Sequence, residues 1–122
     1  MNQQSFDALF ERRVQRAREV LSTKAREYAT HEDRLHNFKA AAALLGGTTT
    51  PAQALLAFSA KHLVSISDLV RDDSPIDQGW IDEKIGDAVN YLILLEAVLT
   101  ERLPRKDQLT LPLQGVTVNR KP

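Results

Sequence analysis

Residues 79–99 read GWIDEKIGDAVNYLILLEAVL, and this stretch decides what kind of fold the chain can adopt. Ile81, Ile85, Val89, Leu92, Leu95 and Leu99 recur at steps of three and four, so one stripe of a long helix is apolar over about five turns. That stripe is expected to be core. A second stripe, Trp80, Glu83, Asp87, Asn90 and Leu94 with Tyr91 beside it, carries polar groups along a line where a fully buried helix carries aliphatics. Gly86 sits between Glu83 and Asp87. Glycine lowers helix propensity by about 1 kcal/mol against alanine, so its position suggests that another group approaches the backbone there.

Working outward, the loop from Asp72 to Gly79 contains Asp-Ser-Pro and Asp-Gln-Gly, which is turn chemistry. The helix before it starts at a capping box, Thr50-Pro51-Ala52-Gln53, with proline at the first helical position. It runs to about Arg71, and Leu55, Leu56, Leu63, Ile66, Leu69 and Val70 are expected to be buried. Ala54, Ala57, Lys61, Ser65, Asp68 and Asp72 line another of its faces, with His62 adjoining. A shorter helix spans about Asp33 to Leu45, turns Leu35, Phe38, Ala41, Ala42 and Leu45 inward, and stops at Gly46-Gly47. The first helix is capped by Ser5 and ends near Tyr28, with Phe6, Phe10, Val14, Ala17, Leu21, Ala25 and Tyr28 at helical spacing. Its other faces, dense in Glu11, Arg12, Arg13, Arg16, Arg18 and Glu19, read as solvated surface. After Leu103 the period changes: Leu109, Leu111, Leu113, Val116 and Val118 alternate with other residues. The expected fold is therefore all-α, with residues 1–103 forming a four-helix antiparallel bundle. Residues 104–122 form an extended C-terminal tail, laid against a neighbouring subunit or disordered.

Composition narrows the function classes. A chain of 122 residues supports one core but not a catalytic domain with a separate recognition domain. Sixteen basic and sixteen acidic residues cancel, so no global positive field draws in a nucleic acid. The lack of cysteine removes disulfides, thiolate metal sites and thiol nucleophiles, and fits a reducing compartment. With neither a signal-like apolar run at the start nor a stretch of about 18 apolar residues, the expectation is a cytoplasmic protein without a membrane partner.

Few chemistries remain for the polar positions. No GxSxG elbow or phosphate-cradling Gly-Lys-Thr loop is present, and His31, His36 and His62 have no serine partner by spacing. Glu83 and Asp87 at i,i+4 can face one cation, and oxygen ligands of this kind suit magnesium or manganese. Two carboxylates are a thin shell, so Asp68 would have to complete it. Lys61 near the same groove would oppose a metal and favour a phosphate. Near the end of the first helix Lys24, Glu27 and Tyr28 cluster within one turn, and Arg34 and Asn37 follow. The amide of Asn37 offers both donor and acceptor.

The segments KAREYATHEDRLHNFKAAAALLG, TPAQALLAFSAKHLVSISDLV and IDEKIGDAVNYLILL resemble small phage and prophage helical proteins. Those in turn resemble the all-α nucleoside triphosphate pyrophosphohydrolases of the MazG and dimeric dUTPase type. The likeness covers about Lys24 to Leu95 and rests on Glu27-Tyr28, Asn37-Phe38, Ala60-Lys61-His62, Ile85-Gly86-Asp87 and Asn90-Tyr91. It implies a MazG-like helical bundle that forms homo-oligomers, with a nucleotide between helices and magnesium held by four acids. This chain departs from the pattern. Lys84 stands where the later acid pair should have its glutamate, Glu83 is one step earlier, and Lys61, Ser65 and Asp68 occupy the helix that should carry the earlier pair.

Exchange of carboxylate for lysine turns a magnesium–phosphate site toward direct phosphate binding. The first expectation is thus a phage-type oligomer, cytoplasmic in the host bacterium, that binds or sequesters a nucleotide or nucleotide-derived signal such as a host defence messenger. Lys24, Arg34 and Lys61 would meet phosphates, Asn37 and Asn90 would read polar edges, and Tyr28, Tyr91 or Trp80 would stack. Asp68 and Asp87 would engage ribose hydroxyls or a cation, with His62 and Glu83 in the same cleft. The alternative is a magnesium-dependent nucleotide pyrophosphohydrolase using Glu83, Asp87 and Asp68 as metal ligands, with no catalytic residue assigned. A second alternative is a structural or protein-interaction module with its polar stripes buried in a subunit interface.

Overall fold

A computed structural model describes residues 1–24 and 32–105. The elements are α1 (Gln3–Arg18), a π-helical turn (Glu19–Lys24), α2 (His36–Leu44), α3 (Pro51–Val70) and α4 (Gln78–Thr100). No strand occurs among the described residues, so the all-α class is as the periodicities predict. Tyr28 and the tail beyond residue 105 lie outside the described residues, as does the side chain of Lys24.

Local chemistry sets the helix ends. The Thr50 hydroxyl accepts from the Gln53 backbone N–H at 3.1 Å while the Gln53 side chain accepts from the Thr50 N–H at 2.9 Å, the reciprocal box read from the sequence. Asp77 caps α4 by accepting from the Trp80 N–H at 2.9 Å. At α1 the cap is Asn2 and not Ser5, because Asn2 accepts from the Ser5 N–H at 2.8 Å. The second helix opens at His36, later than the predicted Asp33, since Asp33 instead accepts from the Leu35 N–H at 3.0 Å. Gly46 ends that helix region with φ of 109°, a left-handed conformation that favours glycine.

The helices pack in a definite order. Leu55 near the start of α3 clusters with Val98 near the end of α4, while His62 further along α3 meets Asp87 and Tyr91 earlier in α4. These two helices are antiparallel. Leu35, at the entrance to α2, completes the buried cluster, and Phe38, Ala52, Leu94, Leu95 and Ala97 pack around it. Lys39 of α2 binds Asp33 at 2.6 Å and Glu101 at 3.0 Å, tying α2 to the far end of α4.

α1 behaves differently from the predicted antiparallel partner. Arg12 reaches Asp82, and Leu21 in the following turn borders the same cavity as Ile93 and Ala97, so α1 and α4 run in the same direction. No short loop joins these two helices, so hairpin geometry does not dictate their sense. α1 buries no residue, and Phe6 and Phe10, expected in the core, are exposed.

The apolar stripe of residues 79–99 is also corrected. Ile85, Leu92 and Leu99 are exposed, and the buried residues of α4 are Gly86, Ala88 and Val98. On α3, Leu56, Leu63 and Val70 are exposed and Leu55 is fully buried, and on the α2 side Leu45 is exposed. The cause is the layer geometry. α4 has α1 along one flank and α3 along the other, and a face pointing out of that layer meets no helix among the described residues. No helix among these residues is long and apolar enough to cross a membrane.

Leu55 is the large side chain with no exposure at all. Leu55→Ala should therefore cost about 2–5 kcal/mol of unfolding free energy by urea titration, while Leu44→Ala, at an exposed position, stays within about 0.5 kcal/mol.

Candidate functional site

The polar stripe of α4 does line a groove, and its opposite wall comes from α1. Arg13, Arg16 and Val20 face Gly79, Asp82, Glu83, Gly86, Asp87 and Asn90 across a volume of ≈ 300 Å³. Helical spacing explains the match: Arg13, Arg16 and Val20 fall on one face of α1, as Asp82, Gly86 and Asn90 do on α4.

Asp82 anchors the wall. Arg12 donates two hydrogen bonds to its carboxylate, at 2.8 and 2.6 Å, a bidentate fork. Arg13 and Arg16 approach the same carboxylate only to 3.8 Å, too far for a hydrogen bond. Gln78 adds a further bond at 3.0 Å. The Asp82 side chain retains 11% exposure, and the Arg12 hydrogen bonds hold its carboxyl below the ordinary aspartate value.

Gly86 is where the arginine wall comes closest. A Cβ built there would lie 2.7 Å from Nη1 of Arg13, so the approach that this glycine suggests is made by a guanidinium. The obstructing atom is the end of a flexible side chain, which a larger residue would displace.

Asp87 is held from the other side. Its Oδ2 lies 3.4 Å from Nδ1 of His62, whose ring stacks on Tyr91 with centroids 4.9 Å apart. His62 is 13% exposed, and its Nε2 is buried with no hydrogen-bond partner. With the proton on Nδ1 facing Asp87, Nε2 is a buried lone pair that does not open onto the groove. The histidine thus orients Asp87 from behind and does not itself present an atom to a ligand in this conformation.

The remaining predicted residues scatter. Lys61 is exposed beside His62, and it is His62, not Lys61, that meets Asp87. Glu83 lies in the groove and 3.7 Å from Lys84, whose ammonium sits 5.9 Å above the Trp80 ring. Asp68 pairs with Arg71 at 3.4 Å and borders a different cavity of ≈ 370 Å³ with Asp72, Ile76 and Trp80. Arg34 borders a third, of ≈ 570 Å³, beside Glu96 and Thr100. Asn37 is exposed on α2. No group of three or more histidines or acids that could hold a metal ion occurs among the described residues, so Glu83, Asp87 and Asp68 are not gathered as a magnesium shell.

Glu83, Asp87, Asn90, His62 and Tyr91 are therefore brought together, and Arg34, Asn37 and Asp68 are not. Arg13, Arg16 and Asp82 were overlooked as solvated surface. Their signal was the complementarity of two helices, arginines at i and i+3 matching an acid and a glycine at i and i+4. No protein-family model matches this sequence, and no characterised protein or solved structure proved similar to it.

Because the folded-state carboxyl of Asp82 is depressed, the docking of α1 is fully present above the ordinary aspartate pKa and is lost as pH falls through the folded value, below about pH 4. Hydrogen exchange should show α1 amides losing protection in that window while α3 and α4 retain theirs. Asp82→Asn should reproduce the loss at neutral pH.

Proposed function

We propose that this chain binds a nucleotide or nucleotide-derived molecule in the α1–α4 groove and does so without turning it over. The observation that carries the reading is the polarity of the two walls: guanidinium groups of Arg13 and Arg16 on one, carboxylates of Glu83 and Asp87 with the Asn90 amide on the other. A nucleotide presents both complements, phosphate oxygens for the arginines and hydroxyl or amino donors for the acids and amide. The pocket volume is at the small end of ligand sites, about 300–1,000 Å³, which favours a mononucleotide.

In this reading Arg13 and Arg16 turn from Asp82 to the phosphate, and Arg12 keeps Asp82 occupied so that α1 stays docked. Gly86 leaves room for the Arg13 guanidinium against the helix backbone. Asp87, oriented by His62, accepts from a ribose hydroxyl or base amine. The likeness to the MazG-type proteins supports the ligand class, and with it comes a homo-oligomer of MazG-like bundle form. The hydrolase alternative gains no specific support, since the three acids it needs are apart.

Titration calorimetry against nucleoside mono-, di- and triphosphates and cyclic nucleotides tests the proposal. At least one should bind, and Arg13→Ala or Arg16→Ala should weaken it about 10- to 100-fold. Gly86→Ala should keep or raise helix stability while lowering affinity, because its methyl displaces Arg13. Folded protein that gives no heat with any member of the panel overturns the reading.

A further inference from the structure

The side of the molecule facing away from the groove poses a separate question. Leu56, Leu63 and Val70 recur every seven residues on α3, and Ile85, Leu92 and Leu99 do so on α4; all six are exposed, Leu92 to 55% and Leu63 to 47%. In the antiparallel pair these two rows flank the same edge of the α3–α4 seam, next to Ser59 and Ile66 on one helix and Ala88 and Leu95 on the other. Helical spacing puts them opposite Lys61, Glu83 and Asn90, which flank the other edge. The rows form one continuous apolar face. Between them lie Ala60 and Ser67 on α3, and on α4 the single charge is Glu96.

From this face we infer a homodimer, in which α3 and α4 of one copy pack on α3 and α4 of a second. Three observations select that occupant. A single layer of helices cannot bury both of its faces, and a stable domain needs two layers. With α3 of 20 residues and α4 of 23, the face measures about 30 by 20 Å, so pairing two copies removes about 1,200 Å² from water, the lower bound of a stable interface. The chain carries no net charge, so copies do not repel at long range, and the face lacks the cationic rim that a membrane surface would require. The seven-residue period supplies knobs on both helices that a second copy can interdigitate. This inference stands apart from the groove, since none of the six residues lines it.

Sedimentation equilibrium of the full chain tests it. The wild type should be a dimer at micromolar concentration, and the double variant Leu63→Glu, Leu92→Glu should raise the dissociation constant at least about 100-fold with its helical circular dichroism retained. Should that variant fail to fold, Leu92→Cys decides instead. In a chain without cysteine, a bismaleimide of short span should join two copies through that position, and absence of the cross-link overturns the proposal. A wild type that stays monomeric at about 100 μM, a dimer that persists in the double variant, or a monomer that binds anionic vesicles through this face would each overturn it too. Arg13→Ala should leave the dimer intact, which separates failure here from failure of the groove reading.

Discussion

A single helix in this fold has to satisfy neighbours all the way round its axis. α4 meets α3 through an apolar seam containing Val98 and Leu94, and meets α1 through the carboxylate of Asp82 and the bare backbone at Gly86. Between those flanks lie two open faces of opposite character, one polar with Glu83 and Asn90, the other apolar with Ile85, Leu92 and Leu99. Both the groove and the uncovered apolar rows follow from this placement.

The two flanks differ in kind. The α3 side is held by removal of apolar surface from water, which is insensitive to salt and weakly dependent on pH. The α1 side is held by ion pairs around Asp82 in a chain whose first helix buries no residue. Such contacts weaken with ionic strength. The molecule therefore has a robust part, α2 to α4, and a part whose attachment depends on solution conditions, and the groove needs both.

Much of the architecture was legible because it is local. The Thr50 box, the glycine stop at Gly46 and the long helix after the Asp77 turn are short-range chemistry, and each is written in adjacent residues. The polar stripe containing Glu83, Asp87 and Asn90 was legible as a functional face because apolar residues are missing from it. What periodicity could not supply was the partner. A stripe such as Ile85-Leu92-Leu99 looks the same whether it faces its own core or a surface left open by a single layer. Arg13 and Arg16 read as solvated because charge on a helix usually is, and only the meeting of two distant segments reveals their role. Lys61 and His62 adjoin in sequence, yet a step of about 100° round the helix sends one to solvent and the other to Asp87.

The π-helical turn at Glu19–Lys24 has a bearing on the ancestry and engineering of this chain. A turn closed one residue later than in an α-helix holds one residue more than regular pitch needs. Deleting a single codon within it would restore ordinary pitch and swing everything beyond by about 100°. Leu21 would then leave the flank it shares with Ile93, and the polypeptide would exit the first helix on a new heading toward α2. The length of this short segment is thus under tighter constraint than the identity of its side chains.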